Sequence, residues 1–140
     1  MEILRWKTRI AVLWLFLPVA TLAHGLLMAW EPGGLERMIS DMEAKGAGGL
    51  LFEALFGLVP LWLAFLAMTL KDSYNRWVNF ALGIIFTIIN IFHFFSCGVP
   101  LTEGSPVAEP TAHHILLVGS TVVVTALIAW YAWKWPKQEA

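Results

Sequence analysis

The hydrophobic positions of the chain form four long runs that short polar segments separate. The runs cover residues 10–30, 47–70, 77–100 and 112–133, and Glu53 is the charged side chain within them. A helix of about 20 mostly apolar residues crosses the hydrocarbon core of a bilayer, and each run reaches that length. The pattern therefore predicts an all-α, polytopic membrane protein: one domain, residues 1–140, built as an antiparallel bundle of four transmembrane helices.

The segments between the runs predict how the spans are connected. The first outer loop places apolar residues at i, i+3, i+4 and i+7 before Gly46, which predicts a short amphipathic helix there (Leu35, Met38, Ile39 and Met42). KDSYNR is a tight turn, so the second and third spans are expected to be antiparallel neighbours. The segment GVPLTEGSPVAEPT is too rich in proline and glycine for regular helix.

Composition and charge narrow the class of protein. Hydrophobic residues make up 59% of the 140 residues and charged ones 14%, which leaves no room for a soluble domain beside the spans. The net charge of −1 without a basic patch excludes nucleic acid as the expected partner and leaves the lipid bilayer. With a cytoplasmic N-terminus, seven Lys and Arg residues lie inside and two outside, so both termini are predicted to be cytoplasmic.

The first run also has features of a secretory signal. Basic residues precede it, and Thr21-Leu22-Ala23 resembles a cleavage site for signal peptidase. However, the apolar run continues to Trp30, which makes it longer than a usual signal core. We therefore expect an uncleaved first span.

Ionisable residues inside the spans mark the candidate site. At about 100° per residue, each of four such residues lies on the small or polar face of a different span (His24, Glu53, His93 and His114). All of them belong to the outer half, and Asn90 lies one turn from His93 on the same face. Because polar groups inside a membrane usually face the bundle interior, these five residues are predicted to form an outward-facing pocket. His113 points about 100° away from His114 and is expected to face the membrane interface.

Two kinds of bound group suit these side chains. Imidazole and carboxylate are ligands for Zn, Cu, Fe or Ni, so His24, Glu53, His93 and His114 are candidate metal ligands. Two of the imidazoles on opposite helices are alternatively able to hold a haem iron. The non-functional alternative is a buried pair of Glu53 with a histidine that only sets the helix register. Cys97 is more typical of a small hydrophobic residue than of a ligand.

Three segments resemble a family of small four-span bacterial membrane proteins without an assigned function. They are NRWVNFALGIIFTIINIF (residues 75–92), Pro60, and WYAWKWP (residues 130–136). The resemblance implies a compact four-helix membrane bundle in the bacterial cytoplasmic membrane and no particular reaction. The four histidines are not part of this family pattern.

Three functions remain open on this basis. The leading hypothesis is a binding or accessory protein whose pocket engages a metal ion, a small apolar molecule or a partner subunit. The second is a small membrane enzyme or haem protein that uses Glu53 as acid or base. The third is a transporter or channel, as a homo-oligomer or part of a larger complex, in which Asn79, Thr87 and Asn90 line a path.

Overall fold

The computed structural model describes residues 2–98 and 112–136, except for the side chains of residues 96–98. It contains four α-helices in these ranges: α1 (Glu2–Trp30), α2 (Gly34–Thr69), α3 (Asp72–Gly98) and α4 (Ala112–Trp133). All four are long and apolar enough to cross a membrane. The prediction of an all-α chain with four candidate spans is therefore confirmed, while residues 99 and 100 of the third predicted span lie outside the described residues.

The helix α2 contains a kink at Gly46. The backbone there has φ 61° and ψ −170°, a conformation that glycine adopts without the steric cost of a side chain. The kink separates residues 34–45 from residues 47–69, and Lys45 Nζ lies 2.5 Å from Glu53 Oε1 across it. The first of these two parts covers the residues predicted to form an amphipathic helix in the first outer loop, and this loop helix stays a prediction.

Two glycines form the tight connection between α1 and α2. Gly33 has φ 70°, and the amide of Gly34 donates a hydrogen bond of 2.8 Å to the carbonyl oxygen of Glu31. A Cβ at position 34 would lie 1.9 Å from the carbonyl oxygen of Met28, so a side chain does not fit there. The turn therefore starts α2 directly beside the end of α1 and keeps Glu31 at this end of the bundle.

The helices pack in an order that the short connections do not predict. α1 packs against α2 and α4, and α3 packs mainly against α4, whereas α2 and α3 have few close contacts. A Cβ at Gly83 of α3 would lie 2.8 Å from the backbone nitrogen of Ala129 of α4, so glycine allows this close approach. Between α2 and α3, the rings of Phe56 and Phe86 stack with their centroids 5.3 Å apart. Spans two and three are thus antiparallel neighbours as expected, but they pack less closely than α3 and α4 do, because a tight turn brings together only the helix ends.

A buried polar cluster connects three of the helices, and we call Trp14, Asn75 and Asn79 the asparagine layer. Trp14 Nε1 donates to Asn79 Oδ1 at 2.6 Å, and Asn79 Nδ2 donates to Asn75 Oδ1 at 2.6 Å. Asn75 Nδ2 in turn donates to the carbonyl oxygen of Ala67 at 2.6 Å. The three side chains are 0 to 1% exposed, so their hydrogen bonds join α1, α2 and α3 in the absence of water.

The two ends of the bundle differ in the elements that meet there. At the terminal end, Lys7 Nζ near the start of α1 lies 3.0 Å from Asp72 Oδ1 and donates to the carbonyl oxygen of Leu70 at 2.8 Å. This end also contains the α2–α3 turn and the end of α4. The loop end contains the α1–α2 turn and the start of α4, and it holds all four histidines.

Candidate functional site

The candidate site is built from the loop-end parts of α1, α3 and α4. His24 lies on α1 ten residues after Trp14, which places it about 15 Å along the helix axis from the asparagine layer. His113 and His114 lie in the first turn of α4, because this helix begins at Ala112. We call the four histidines together with Asn90 the histidine layer (His24, Asn90, His93, His113 and His114).

His24 lies at the centre of this layer. Its ring centroid is 5.0 Å from that of His114, 5.7 Å from that of His113 and 6.5 Å from that of His93. The structure therefore brings together the three histidines that were predicted to share a pocket, on three different helices. The ring of Phe94 also stacks on His114 with a centroid distance of 5.9 Å.

Burial differs between the members of the histidine layer. His24, Asn90 and His114 are 7%, 3% and 5% exposed, so they lie inside the bundle. His113 is partly buried, and His93 is exposed on the side of the bundle. The histidine layer thus extends from the bundle interior at His24 to the exposed side of the bundle at His93.

Three buried nitrogen atoms of this layer have no hydrogen-bond partner among the described residues: Nδ1 of His24, Nε2 of His114 and Nδ2 of Asn90. A buried polar atom without a partner costs about 1 to 3 kcal/mol, so buried polar groups in folded proteins are normally paired. The one other such side-chain atom, Trp135 Nε1, lies at the terminal end. The three unpaired atoms in one layer make it a candidate ligand site.

Glu53 does not join the buried part of the layer. Its side chain is 52% exposed, and its carboxylate pairs with Lys45 across the kink of α2. The sequence places Glu53 on the face of α2 that carries small residues, but α2 has few contacts with α3. The structure therefore brings His24, His93 and His114 together, whereas Glu53 is exposed beside Lys45, and both of these charges lie close enough to act on His93. A shared pocket of His24, Glu53, His93 and His114 stays a prediction.

This arrangement bears directly on the metal prediction. Within residues 2–98 and 112–136, no three side chains of His, Cys, Asp or Glu are arranged to hold a metal ion. The side chain of Cys97 lies outside the described residues. The four-ligand site of His24, Glu53, His93 and His114 is thus not formed by the residues that the structure describes.

Two residues of the site were missed by the sequence reasoning. His113 was expected to face the interface, yet its ring lies beside His24, and its Nε2 is 3.6 Å from Glu31 Oε1. Glu31 also pairs with Arg37 through an Nη2 to Oε2 distance of 3.2 Å. The sequence did contain a signal for their proximity. Glu31 directly follows the first apolar run and His113 is the second residue of the fourth, so both are expected at the same end of the bundle. The helical phase of α4 did not predict the position of His113, because the ring of His24 lies beside both His113 and His114 in the first turn of α4.

The polar stripe predicted on α3 separates into two kinds of residue. Asn79 is occupied by its bonds to Trp14 and Asn75, and the hydroxyl of Thr87 donates to the carbonyl oxygen of Gly83 at 2.7 Å. Asn90 is the member of this stripe whose amide nitrogen has no partner among the described residues. Of the three residues that the channel hypothesis assigns to a path, Asn79 and Thr87 are therefore already hydrogen-bonded within the chain.

Compared with known protein families, curated proteins and solved structures, the chain matches none of them. The resemblance of residues 75–92 and 130–136 to small four-span membrane proteins accordingly stays an expectation. Any function must be argued from the geometry of the site.

Proposed function

We propose that the protein is a small integral membrane protein that binds a membrane-soluble molecule in the histidine layer. The ligand carries hydrogen-bond acceptor oxygen atoms, such as those of a carbonyl group. His24, Asn90 and His114 hold these oxygens, and Phe94 contacts the ring or chain of the ligand. The proposal rests on the three buried and unpaired nitrogen atoms of the layer.

The chemistry of these atoms favours an acceptor as the ligand. An amide nitrogen only donates hydrogen bonds, so Asn90 Nδ2 calls for an oxygen acceptor. Each neutral imidazole donates from one ring nitrogen, and His24 and His114 are both able to present an N–H group. A ligand oxygen that accepts these bonds would recover the free energy that the unpaired atoms cost in the empty site.

A metal ion fits these atoms less well. Metals bind the unprotonated nitrogen of imidazole and do not bind a neutral amide nitrogen, so Asn90 Nδ2 would stay unpaired. The described residues also lack a group of three ligating side chains. The acceptor molecule is therefore the favoured ligand class.

The packing suggests that the ligand enters from the bilayer. His93 is exposed, and its ring centroid lies 6.5 Å from that of the buried His24. On this side of the bundle α2 and α3 have few close contacts. The contacts of Glu31 with Arg37 and His113 cover the loop end itself.

The same proposal includes the membrane and the orientation. Of the eight Lys and Arg residues in the described ranges, six lie at the terminal end, which by the positive-inside rule faces the cytoplasm. The histidine layer then opens in the outer half of a bacterial cytoplasmic membrane. A ligand held there has access to the outer leaflet and to groups on the outer surface.

The molecule that co-purifies with the protein tests the proposal. Wild-type protein and the variants His24→Leu and Asn90→Leu are extracted in mild detergent, analysed by native mass spectrometry, and extracted with organic solvent to identify bound small molecules. We expect one oxygen-containing apolar molecule per wild-type chain and its loss from both variants. Thr87→Val is the matched control, because Thr87 lies on α3 but bonds only to its own helix.

Two results would contradict the proposal. One is that native mass spectrometry of wild-type protein ejected directly from membrane vesicles detects no stoichiometric small molecule. The other is that the variants retain it as well as wild type does. Elemental analysis of the same samples separates the metal alternative, since a stoichiometric transition metal lost on His24→Leu would replace the acceptor ligand.

A further inference from the structure

A second surface feature lies at the opposite end of the bundle, where the first turns of α1 form a groove. Four residues at i, i+3, i+4 and i+7 line its volume of about 430 Å³: Glu2, Arg5, Trp6 and Arg9. Residues with this spacing share one face of a helix. Arg9 precedes His24 by fifteen residues, or about 22 Å along the axis, so the groove is separate from the histidine layer.

The guanidinium group of Arg9 is held in place by two aromatic rings. Its carbon Cζ lies 5.7 Å from the ring centroid of Trp6 and 5.9 Å from that of Tyr131. The two rings pack edge to face, with centroids 5.4 Å apart, which joins α1 to α4. An arginine that stacks on aromatic rings keeps its N–H groups available at the edge of the plane, so Arg9 is oriented in advance for an anion.

Three other cations at this end have partners. Lys7 pairs with Asp72, Arg76 lies over the ring of Trp77, and Lys134 lies over the ring of Trp130. In the part of the chain that the structure describes, neither Arg5 nor Arg9 has a carboxylate within ion-pair distance, although both are exposed. Two like charges one helical turn apart repel each other, and an anion between them would remove that repulsion.

The position and net charge of the groove identify the class of anion. The apolar run of α1 begins at Ile10, directly after Arg9, so the groove lies at the level where lipid headgroups meet the hydrocarbon core. Two arginines and Glu2 leave one positive charge, which a single phosphodiester balances. We propose that the groove binds the phosphate of an anionic phospholipid headgroup between Arg5 and Arg9, with Trp6 at the interface of the same lipid.

Native mass spectrometry with added lipids tests this proposal. The full chain in mild detergent is titrated with phosphatidylglycerol, phosphatidylethanolamine and phosphatidylcholine of the same acyl chains. We expect one phosphatidylglycerol to bind in preference to the other two, and the double substitution Arg5→Gln/Arg9→Gln to weaken it about tenfold or more, because charge-assisted hydrogen bonds are lost. Arg76→Gln, a cation of the same end outside the groove, should leave the affinity unchanged.

Glu2 supplies a test of the headgroup itself. Glu2→Gln removes the one negative charge of the groove, so it should strengthen binding of phosphatidylglycerol. If Glu2→Gln instead weakens binding and phosphatidylethanolamine binds as tightly as phosphatidylglycerol, the groove recognises a zwitterionic headgroup, and the proposal is wrong.

Further outcomes would also overturn the proposal. An equal loss of binding in Arg76→Gln would show a general effect of charge at this end. Competition by inorganic phosphate alone at millimolar concentration would show a site for a soluble anion instead of a lipid. Because Arg9 packs on two rings, its substitution is able to disturb folding, so the single substitution of the exposed Arg5, Arg5→Gln, is the second variant. Unchanged lipid affinity in Arg5→Gln would contradict the proposal even if the double variant does not fold.

Discussion

The asparagine layer and the histidine layer are both polar groups inside an apolar bundle, and they differ in how their polar atoms are used. In the asparagine layer, the indole of Trp14 and the amides of Asn75 and Asn79 form a chain of hydrogen bonds that ends at a backbone carbonyl. In the histidine layer, His24, Asn90 and His114 each keep a buried nitrogen without a partner in the described chain. A buried polar group is therefore structural where its bonds are complete, and a candidate site where they are not.

The packing around the two layers differs in the same sense. Gly83, one helical turn from Asn79, allows the backbones of α3 and α4 to approach closely. At the loop end, α2 is kinked at Gly46, and a Cβ at Gly119 would meet the ring of Phe94 at an ordinary contact distance of 3.6 Å. We infer that the asparagine layer holds the bundle together, whereas the helices beside the histidine layer pack less closely.

The largest effect on stability is expected for Asn79→Leu. The substitution leaves Trp14 Nε1 and Asn75 Oδ1 without their partner, and each unpaired buried group costs about 1 to 3 kcal/mol. The free energy of unfolding should therefore fall by about 2 to 6 kcal/mol. Reversible unfolding in mixed micelles, followed by circular dichroism, measures the change.

Thr87→Val is the control for this comparison, because its hydroxyl bonds only to the carbonyl oxygen of Gly83 in its own helix. Its effect should stay below about 1 kcal/mol. A variant Asn79→Leu that is as stable as the wild type would show that the asparagine layer does not hold the helices together.

A smaller effect is expected for a methyl group added at the α3–α4 contact. In Gly83→Ala the new Cβ would lie 2.8 Å from the backbone nitrogen of Ala129, so the helices must separate. Such overpacking costs about 1 to 3 kcal/mol. Gly119→Ala, toward the other end of the same helix pair and near the histidine layer, should change the free energy of unfolding by less than about 1 kcal/mol.

Thermal unfolding of these two variants in the same detergent compares the two regions directly. Equal losses in Gly83→Ala and Gly119→Ala would mean that the two ends of α3 and α4 pack with the same density. In that case the helices do not pack less closely beside the histidine layer than beside the asparagine layer.

The smallest effect, with the opposite sign, is expected for His24→Leu in protein free of ligand. The substitution removes a buried nitrogen without a partner and replaces the imidazole with an apolar side chain of similar size. The free energy of unfolding should therefore rise by up to about 1 kcal/mol. Chemical unfolding of delipidated protein measures it, and His93→Leu, at the exposed edge of the layer, is the matched variant with little expected change. If His24→Leu instead lowers stability by more than about 2 kcal/mol, His24 is a structural residue like Asn79.

Part of the candidate site followed from helical periodicity. His24, His93 and His114 each lie on the polar face of their own helix, and the antiparallel course of neighbouring spans places those faces at one depth. The structure brings the three rings together, as this reasoning expected. Glu53 met the same criterion but is exposed and paired with Lys45 beside His93, because periodicity does not tell how deeply a given face of α2 will be buried.

The sequence by itself determined the number of helices and their approximate bounds, since the length of an apolar run and the thickness of a bilayer are enough to predict a span. It also determined which end of each helix carries the histidines. The tertiary structure decided that α3 packs more closely on α4 than on α2, that Asn79 is bonded to Trp14, and that Glu31 and His113 belong to the site. These contacts depend on the shapes of side chains from distant segments, such as Gly83 against Ala129, and local hydrophobic patterns carry no information about such matches.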